Sequence, residues 1–278
     1  MSAVLTRPAP DRPLRVLAPA DLAQFLADGY VIVRDAFPAD AAAEVRAQLF
    51  ARLKINPDDR ATWTQRFVHL PETLHGPAVE LCYTPRVLGA FDDLLGAGRW
   101  VRPGGLGWWP VIFPGFDQPP WQPPLQGWHV DGQHFHHRLT SREQGLLTLF
   151  LFSDMGPGDG GTAIAAGSHR VTARVLAAAE PAGLAANAIS PAVNRFPRPR
   201  VVQLCGRAGD VAVLHPFMSH SASANVGSRV RVVCNPCIAL HEPMQLDRPV
   251  PGDHSPVEEA IRQALAGPRP DEPDAPAR

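Results

Sequence analysis

Gly145-Leu-Leu-Thr-Leu-Phe-Leu-Phe152 is a short apolar run that reads as a β-strand, and it does not stand alone. From about residue 100 onward, similar short apolar or alternating runs recur: Gly105–Phe113 (GLGWWPVIF), Thr162–Ala166 (TAIAA), Asp210–His215 (DVAVLH) and Val230–Leu240 (VRVVCNPCIAL). Gly, Pro and Asp separate them. Repeated short strands with turn punctuation predict a β-sandwich or jelly roll.

Before residue 100 the texture is different. Leu22, Phe25 and Leu26 form one face of a helix that Gly29 is placed to end, and YVIVRDAF after it reads as a strand. A second helix is expected around residues 39–53. A third is marked by Thr84 as N-cap, Pro85 at the first helical position and Gly96 as the stop. Residues 171–200 interrupt the strands with an Ala-rich insertion, which the length of the break suggests is a lid or binding segment. Ser255-Pro-Val-Glu258 is a capping box opening a last helix that stops at Gly267. The expected organisation is a mobile segment 1–16 and a single domain 17–267, followed by a disordered tail 268–278. The domain divides into a helical part 17–99 and a β core at about 100–241.

Composition narrows the partners. The chain has 278 residues, 45% of them hydrophobic, with a formal charge of −1, so it offers no field for nucleic acid or anionic lipid. No apolar run is long enough to span a membrane, and the N-terminus lacks a signal peptide's apolar stretch. A cytoplasmic protein with a small-molecule partner is expected, as a monomer or homodimer. Cys82, Cys205, Cys234 and Cys237 are too few for a disulfide framework, and Cys234-Asn-Pro-Cys237 lies in an apolar run without a second such pair, so it reads as packing.

The chemistry is concentrated in Gly127-Trp-His129-Val-Asp131-Gly132. On an extended chain, residues two apart point to one face, so an imidazole and a carboxylate can reach one metal ion. His-x-Asp alone arises often by chance. His220, some ninety residues on between two strand-like runs, is the candidate third ligand; two His and one carboxylate on one face of an ion is the arrangement of non-haem Fe(II) oxygenases. His215 rivals it but reads as a hydrogen-bonded histidine at a strand end. His134, His136 and His137 form a further cluster, with Glu143 too far along to complete a different metal site.

The chain resembles the phytanoyl-CoA dioxygenase family over most of residues 17–241. The resemblance rests on DGYVIVRDAF, WHVDG, GDGGTAIAAGSHR and HSASANVGSRVR. It implies a mainly β fold with flanking helices around a double-stranded β-helix (jelly roll, cupin-like) core. It also implies Fe(II), with 2-oxoglutarate and O2 as co-substrates. In the family an arginine eleven residues after the distal histidine grips 2-oxoglutarate; here that position is Arg231, whose planar fork suits a carboxylate. Arg229 competes for the role, and Ser221 and Thr162 are further candidate co-substrate contacts. Family members often carry a Ser two residues after the distal histidine, where this chain has Ala222.

Trp108, Trp128, His134 and His136 are candidate substrate contacts near the metal strand. Related halogenating enzymes lack the carboxylate ligand, so Asp131 favours hydroxylation of an unactivated C–H, with succinate and CO2 released. Desaturation, cyclisation or epimerisation with the same cofactors is the alternative. A non-catalytic module on the same fold, or a zinc hydrolase, is the reading from other classes. A secondary-metabolite intermediate is the expected substrate.

Overall fold

A computed structural model describes residues 13–198, 200–250 and 252–267. The first helix, α1 (Pro19–Asp28), buries Leu22 and Phe25 and ends at Gly29. That glycine sits at φ 81°, and a Cβ on it would lie 2.4 Å from His169 Nδ1, so backbone geometry and packing both demand its missing side chain. Next come β1 (Tyr30–Val33), α2 (Ala39–Leu53), β2 (Phe67–Leu70), the single turn α3 (Pro77–Glu80) and α4 (Pro85–Leu95). Thr84 caps α4 by accepting a 3.2 Å hydrogen bond from the Val87 amide, a contact worth about 1 kcal/mol. The β2 strand is absent from the sequence reading, because its side chains are only partly buried and Phe-Val-His-Leu carries little alternation.

The strand-rich half contains β3 (Trp109–Ile112), β4 (His136–His137), β5 (Leu146–Leu151) and β6 (Ala163–Ala165). After α5 (Ser168–Ala177), β7 (Leu184–Ala185) and α6 (Ala186–Val193) come β8 (Val201–Gln203), β9 (Val211–Leu214), β10 (His220–Ser221), β11 (Arg231–Cys234), β12 (Cys237–Ile238) and finally α7 (Pro256–Ala266).

Among the described residues these strands build a seven-stranded antiparallel sheet, β1-β9-β5-β11-β3-β2 with β12 also on β5, and a three-stranded antiparallel sheet, β10-β6-β8. Alternation along the strands of the large sheet sorts its side chains. Leu147, Leu149, Leu151, Ala212, Leu214 and Val233 turn inward and pack with Ile164 and Leu204 of the smaller layer. The other face, with Phe150, Phe152, Val111, Phe113, Val213 and Val232, is covered by the helices through Phe25, Val45, Leu49, Phe91 and Ile261. A strand covered on both faces must be apolar throughout, which is why Leu146–Leu151 is buried at every position.

Two expectations from the sequence need correction. Residues ahead of 17 are not all mobile: the buried Asp93 carboxylate accepts backbone hydrogen bonds from Arg15 (2.8 Å), Val16 (2.9 Å) and Leu17 (2.9 Å). The expected mobile stretches at 1–12 and 268–278 lie outside the described residues. The start of the Ala-rich insertion, expected as a lid or binding segment, packs as part of the core. Its α5 buries Ala173 and Leu176 and packs on α7 and α6, with Arg174 donating to the Ala264 carbonyl at 2.8 Å. None of the described helices is long and apolar enough to cross a membrane.

Candidate metal centre

The strand-like segment carrying His129 is joined to β10 by one narrow bridge. His129 and His220 exchange both backbone hydrogen bonds, at 2.9 and 3.0 Å, which places them directly opposite each other with ring centroids 4.3 Å apart. Two steps along from His129, Asp131 brings its Oδ1 to 3.2 Å from His129 Nε2 and 3.6 Å from His220 Nε2. Gly132 then turns the chain at φ 103°, where a Cβ would come within 2.6 Å of His137 Nε2.

The far nitrogen of each imidazole is committed to the backbone. His129 Nδ1 donates to the Gly127 carbonyl at 2.8 Å and His220 Nδ1 to the Met218 carbonyl at 3.1 Å. A carbonyl can only accept, so both Nδ1 atoms carry a proton and both Nε2 atoms, turned toward Asp131, are the ones left to bind an ion. This is the orientation a metal ligand needs. One ligand atom from each of the three lies within 4.8 Å of the others, and among the described residues this is the one such group of three. Two neutral nitrogens and one carboxylate oxygen fit a divalent iron.

The electrostatics agree with the donor set. Burial would raise the Asp131 carboxyl, but His220, His129 and an Asn235 hydrogen bond outweigh it and hold the group below its ordinary range. Burial lowers His220 and wins over the pull of Asp131. For His129, burial is outweighed by Asp131 and by the Gly127 carbonyl, and the ring is raised.

Arg231 lies on β11 with its side chain turned inward toward the smaller sheet. It is only 3% exposed and donates from Nη1 to the Pro110 carbonyl at 2.9 Å and from Nη2 to Thr162 Oγ1 at 2.6 Å. Its Nε is buried without a partner, and among the described residues no carboxylate pairs with it. Burial pushes this guanidinium down to about 9, still charged at neutral pH. A buried cation without a counterion costs several kcal/mol. The surroundings of Arg231 are therefore complementary to an anion.

Arg229 does not share this face. It precedes the strand, in a bend where alternation does not apply; its side chain is 61% exposed and reaches Asp159 at 3.7 Å. Ser221 alternates away from His220 and donates to the Gln126 carbonyl at 3.1 Å, so it anchors the loop before the metal strand. Trp128 is likewise structural: its Nε1 donates to the Pro124 carbonyl at 2.8 Å, and its buried ring packs on Ala163 and Ala165 beneath the Arg198 guanidinium. His134 and His136 are exposed, and His137 is buried against the Gly132 carbonyl. His215 is fully buried, held between the Val257 carbonyl and the Phe217 amide. The α6 helix braces the metal strand, with Asn194 Nδ2 on the Trp128 carbonyl at 3.2 Å.

Asn235 is the residue the sequence reading passed over. It lies in the Cys-Asn-Pro-Cys turn, near enough to Asp131 to help hold that carboxyl down, and its buried Oδ1 has no partner among the described residues. The Asn-Pro step that ends β11 was the visible signal, and the flanking cysteines drew the attention instead. All four cysteines are free, and Cys234 is buried.

The phytanoyl-CoA dioxygenase (PhyH) family profile matches residues 25–233, a span that takes in His129, Asp131, His220 and Arg231. The chain belongs to this family. It is a 2-oxoglutarate-dependent non-haem iron oxygenase, with O2 as the further co-substrate. No curated protein matches it. Among solved structures, HygX from Streptomyces hygroscopicus, with nickel, 2-oxoglutarate and hygromycin B bound, is 16% identical over 80% of this chain and 87% of that one, at a TM-score of 0.47. SnoK, a non-haem α-ketoglutarate-dependent carbocyclase from nogalamycin biosynthesis, is 16% identical over 81% of this chain and 84% of its own, at 0.46. EctD from S. alaskensis is 17% identical over 87% and 88%, at 0.42.

Proposed function

We propose that the protein hydroxylates an unactivated C–H bond of a small organic molecule, releasing succinate and CO2, with His129, Asp131 and His220 as iron ligands. The observation that carries this reading is the convergence of two carbonyl-locked imidazoles and one carboxylate beside a buried, uncompensated arginine. The two packed antiparallel sheets support a double-stranded β-helix, in which such a site lies between the layers.

Bound iron would supply the capacity to activate O2 in concert with the decarboxylation of 2-oxoglutarate. The chain's own residues do the rest. Gly127 and Met218 carbonyls hold the imidazole tautomers, and Asn235 holds the Asp131 carboxylate. Arg231 is set to bind the far carboxylate of 2-oxoglutarate, with its Nε and fork nitrogens as donors. Thr162 deepens that pocket. The β10–β6 register pairs Ser221 with Ala163, so its next step brings Ala222 beside Thr162. A hydroxyl from Thr162 would stand in for the serine that Ala222 lacks, and because it already accepts from Arg231 its own proton is free for the anion.

The test is Arg231→Met. Removing a charged donor from a buried ion pair costs about 2–4 kcal/mol, so the KM for 2-oxoglutarate should rise roughly 30- to 1,000-fold while Fe(II) affinity stays level. An unchanged KM would remove Arg231 from the co-substrate site. Asp131 supports hydroxylation over halogenation. Cytoplasmic placement and a monomer or homodimer remain part of the proposal.

A further inference from the structure

A buried, unpartnered nitrogen of His69 lies on the same sheet face as the unpartnered Nε of Arg231. In the β11–β3–β2 register, Arg231 stands opposite Ile112, Ile112 opposite Phe67, and His69 opposite Pro110. Residues directly paired or two apart share a face, so Phe67 and His69 turn inward with Arg231 at the open edge of the large sheet. The rings agree: Phe67 and His69 stack at 6.4 Å with 18° between their planes. His69 Nε2 is buried and has no hydrogen-bond partner among the described residues. An orphaned buried nitrogen calls for a reason.

Trp108 supplies the link to the iron site. Its ring meets that of His69 at a steep angle with centroids 4.4 Å apart, and its carbonyl accepts the backbone N–H of Asn235 at 3.1 Å, a residue near enough to Asp131 to help hold its carboxyl down. From metal ligand to sheet edge, Asp131, Asn235, Trp108 and His69 are therefore contiguous. Trp108 is held at φ 68°, a conformation that a bulky residue rarely adopts, and its ring is 53% exposed. Backbone strain of this kind clusters where ligands are gripped.

We propose that His69 is the hydrogen-bonding group that orients the substrate, and that the substrate is an uncharged, ring-bearing molecule with a hydroxyl or carbonyl. This rests on the oxygenase site proposed above. The ligand's ring displaces Trp108 from over His69 and takes its place on the Phe67–His69 stack, while the ligand's oxygen bonds Nε2. The chemistry of this wall decides the class, since the Phe67 and His69 rings and one neutral nitrogen carry no charge with which to recognise a charged group.

The experiment uses the anaerobic Fe(II)–2-oxoglutarate complex and two pairs of probes, 1-naphthol with naphthalene and 4-phenylphenol with biphenyl. Binding is read from tryptophan emission, with Trp108→Phe identifying the reporter. The wild type should bind each phenol about tenfold more tightly than its deoxy partner. His69→Phe, which keeps the stack, should bind both members of a pair equally. His69→Asn should recover part of the difference. If phenol and deoxy partner bind equally to the wild type, or if His69→Phe keeps the preference, the proposal is overturned. The visible charge-transfer band of the Fe(II)–2-oxoglutarate complex is recorded in the same samples. Its absence from the wild type would strike the iron-site reading alone, whereas its presence with no phenol preference strikes only His69.

Discussion

Two pairs of histidines stand close together in this protein, and they have opposite fates. His129 and His220 face each other with ring centroids 4.3 Å apart; His169 and His215 lie 5.0 Å apart in the helical layer. The first pair has a carboxylate between its Nε2 atoms and carbonyls behind its Nδ1 atoms. Among the described residues the second has no acid beside it: both histidines are at most 1% exposed, and burial pushes His169 well below the ordinary histidine range and His215 down to about 3. Proximity of imidazoles does not make a metal site. A carboxylate placed to join their free nitrogens around one ion can, and without one the low dielectric keeps both rings neutral.

The largest break in this contrast comes from Asp131→Ala, which leaves two imidazoles without their acid, much like the buried pair. Fe(II) affinity by anaerobic calorimetry should fall by more than about 100-fold, beyond what loss of a supporting partner usually costs. Retained affinity would mean that the carboxylate is not a ligand.

A milder change sharpens the comparison. Asn235→Ala removes a donor to Asp131 and leaves every metal ligand in place. Fe(II) affinity and succinate formation should drop roughly 10- to 100-fold, the usual range for a residue supporting a ligand. If neither moves, Asn235 merely fills space.

The smallest effect concerns stability. His215 has a folded pKa near 3, below its unfolded value of about 6.5, so the unfolded chain binds the extra proton. Its contribution is complete above about pH 6.5, declines as pH falls from there, and is gone once pH passes the folded value. The slope is about 1.4 kcal/mol per pH unit per group. Urea midpoints of metal-free protein between pH 7 and 5 should decline, and His215→Phe should flatten that decline whatever it does at pH 7. An unaltered slope in the variant would assign the acid sensitivity elsewhere.

How far the sequence could be read depended on how local each signal was. Thr84, Ser255 and Gly29 were legible as helix ends because a cap depends on three or four neighbouring residues. The apolar run at Leu146–Leu151 was legible as a strand for the same reason. His129 and Asp131 were legible as a pair through their spacing of two. Arg229 and Arg231 have that same spacing, yet they part ways, because the alternation rule holds only where the chain is extended and Arg229 sits in a bend. That the start of the insertion packs as core was not legible, because a helix's apolar face does not announce what it will pack on.

The sequence by itself therefore determined the strand texture, the helix ends and the kinds of side chain available for an iron site. Only the tertiary structure decided that His220 and not His215 meets Asp131, that Asn235 supports it, and that His69 shares a face with Arg231. The physical reason is register. Which residues face one another across sheets is set by pairing between segments some ninety residues apart, and a slip of one residue turns every side chain to the other face.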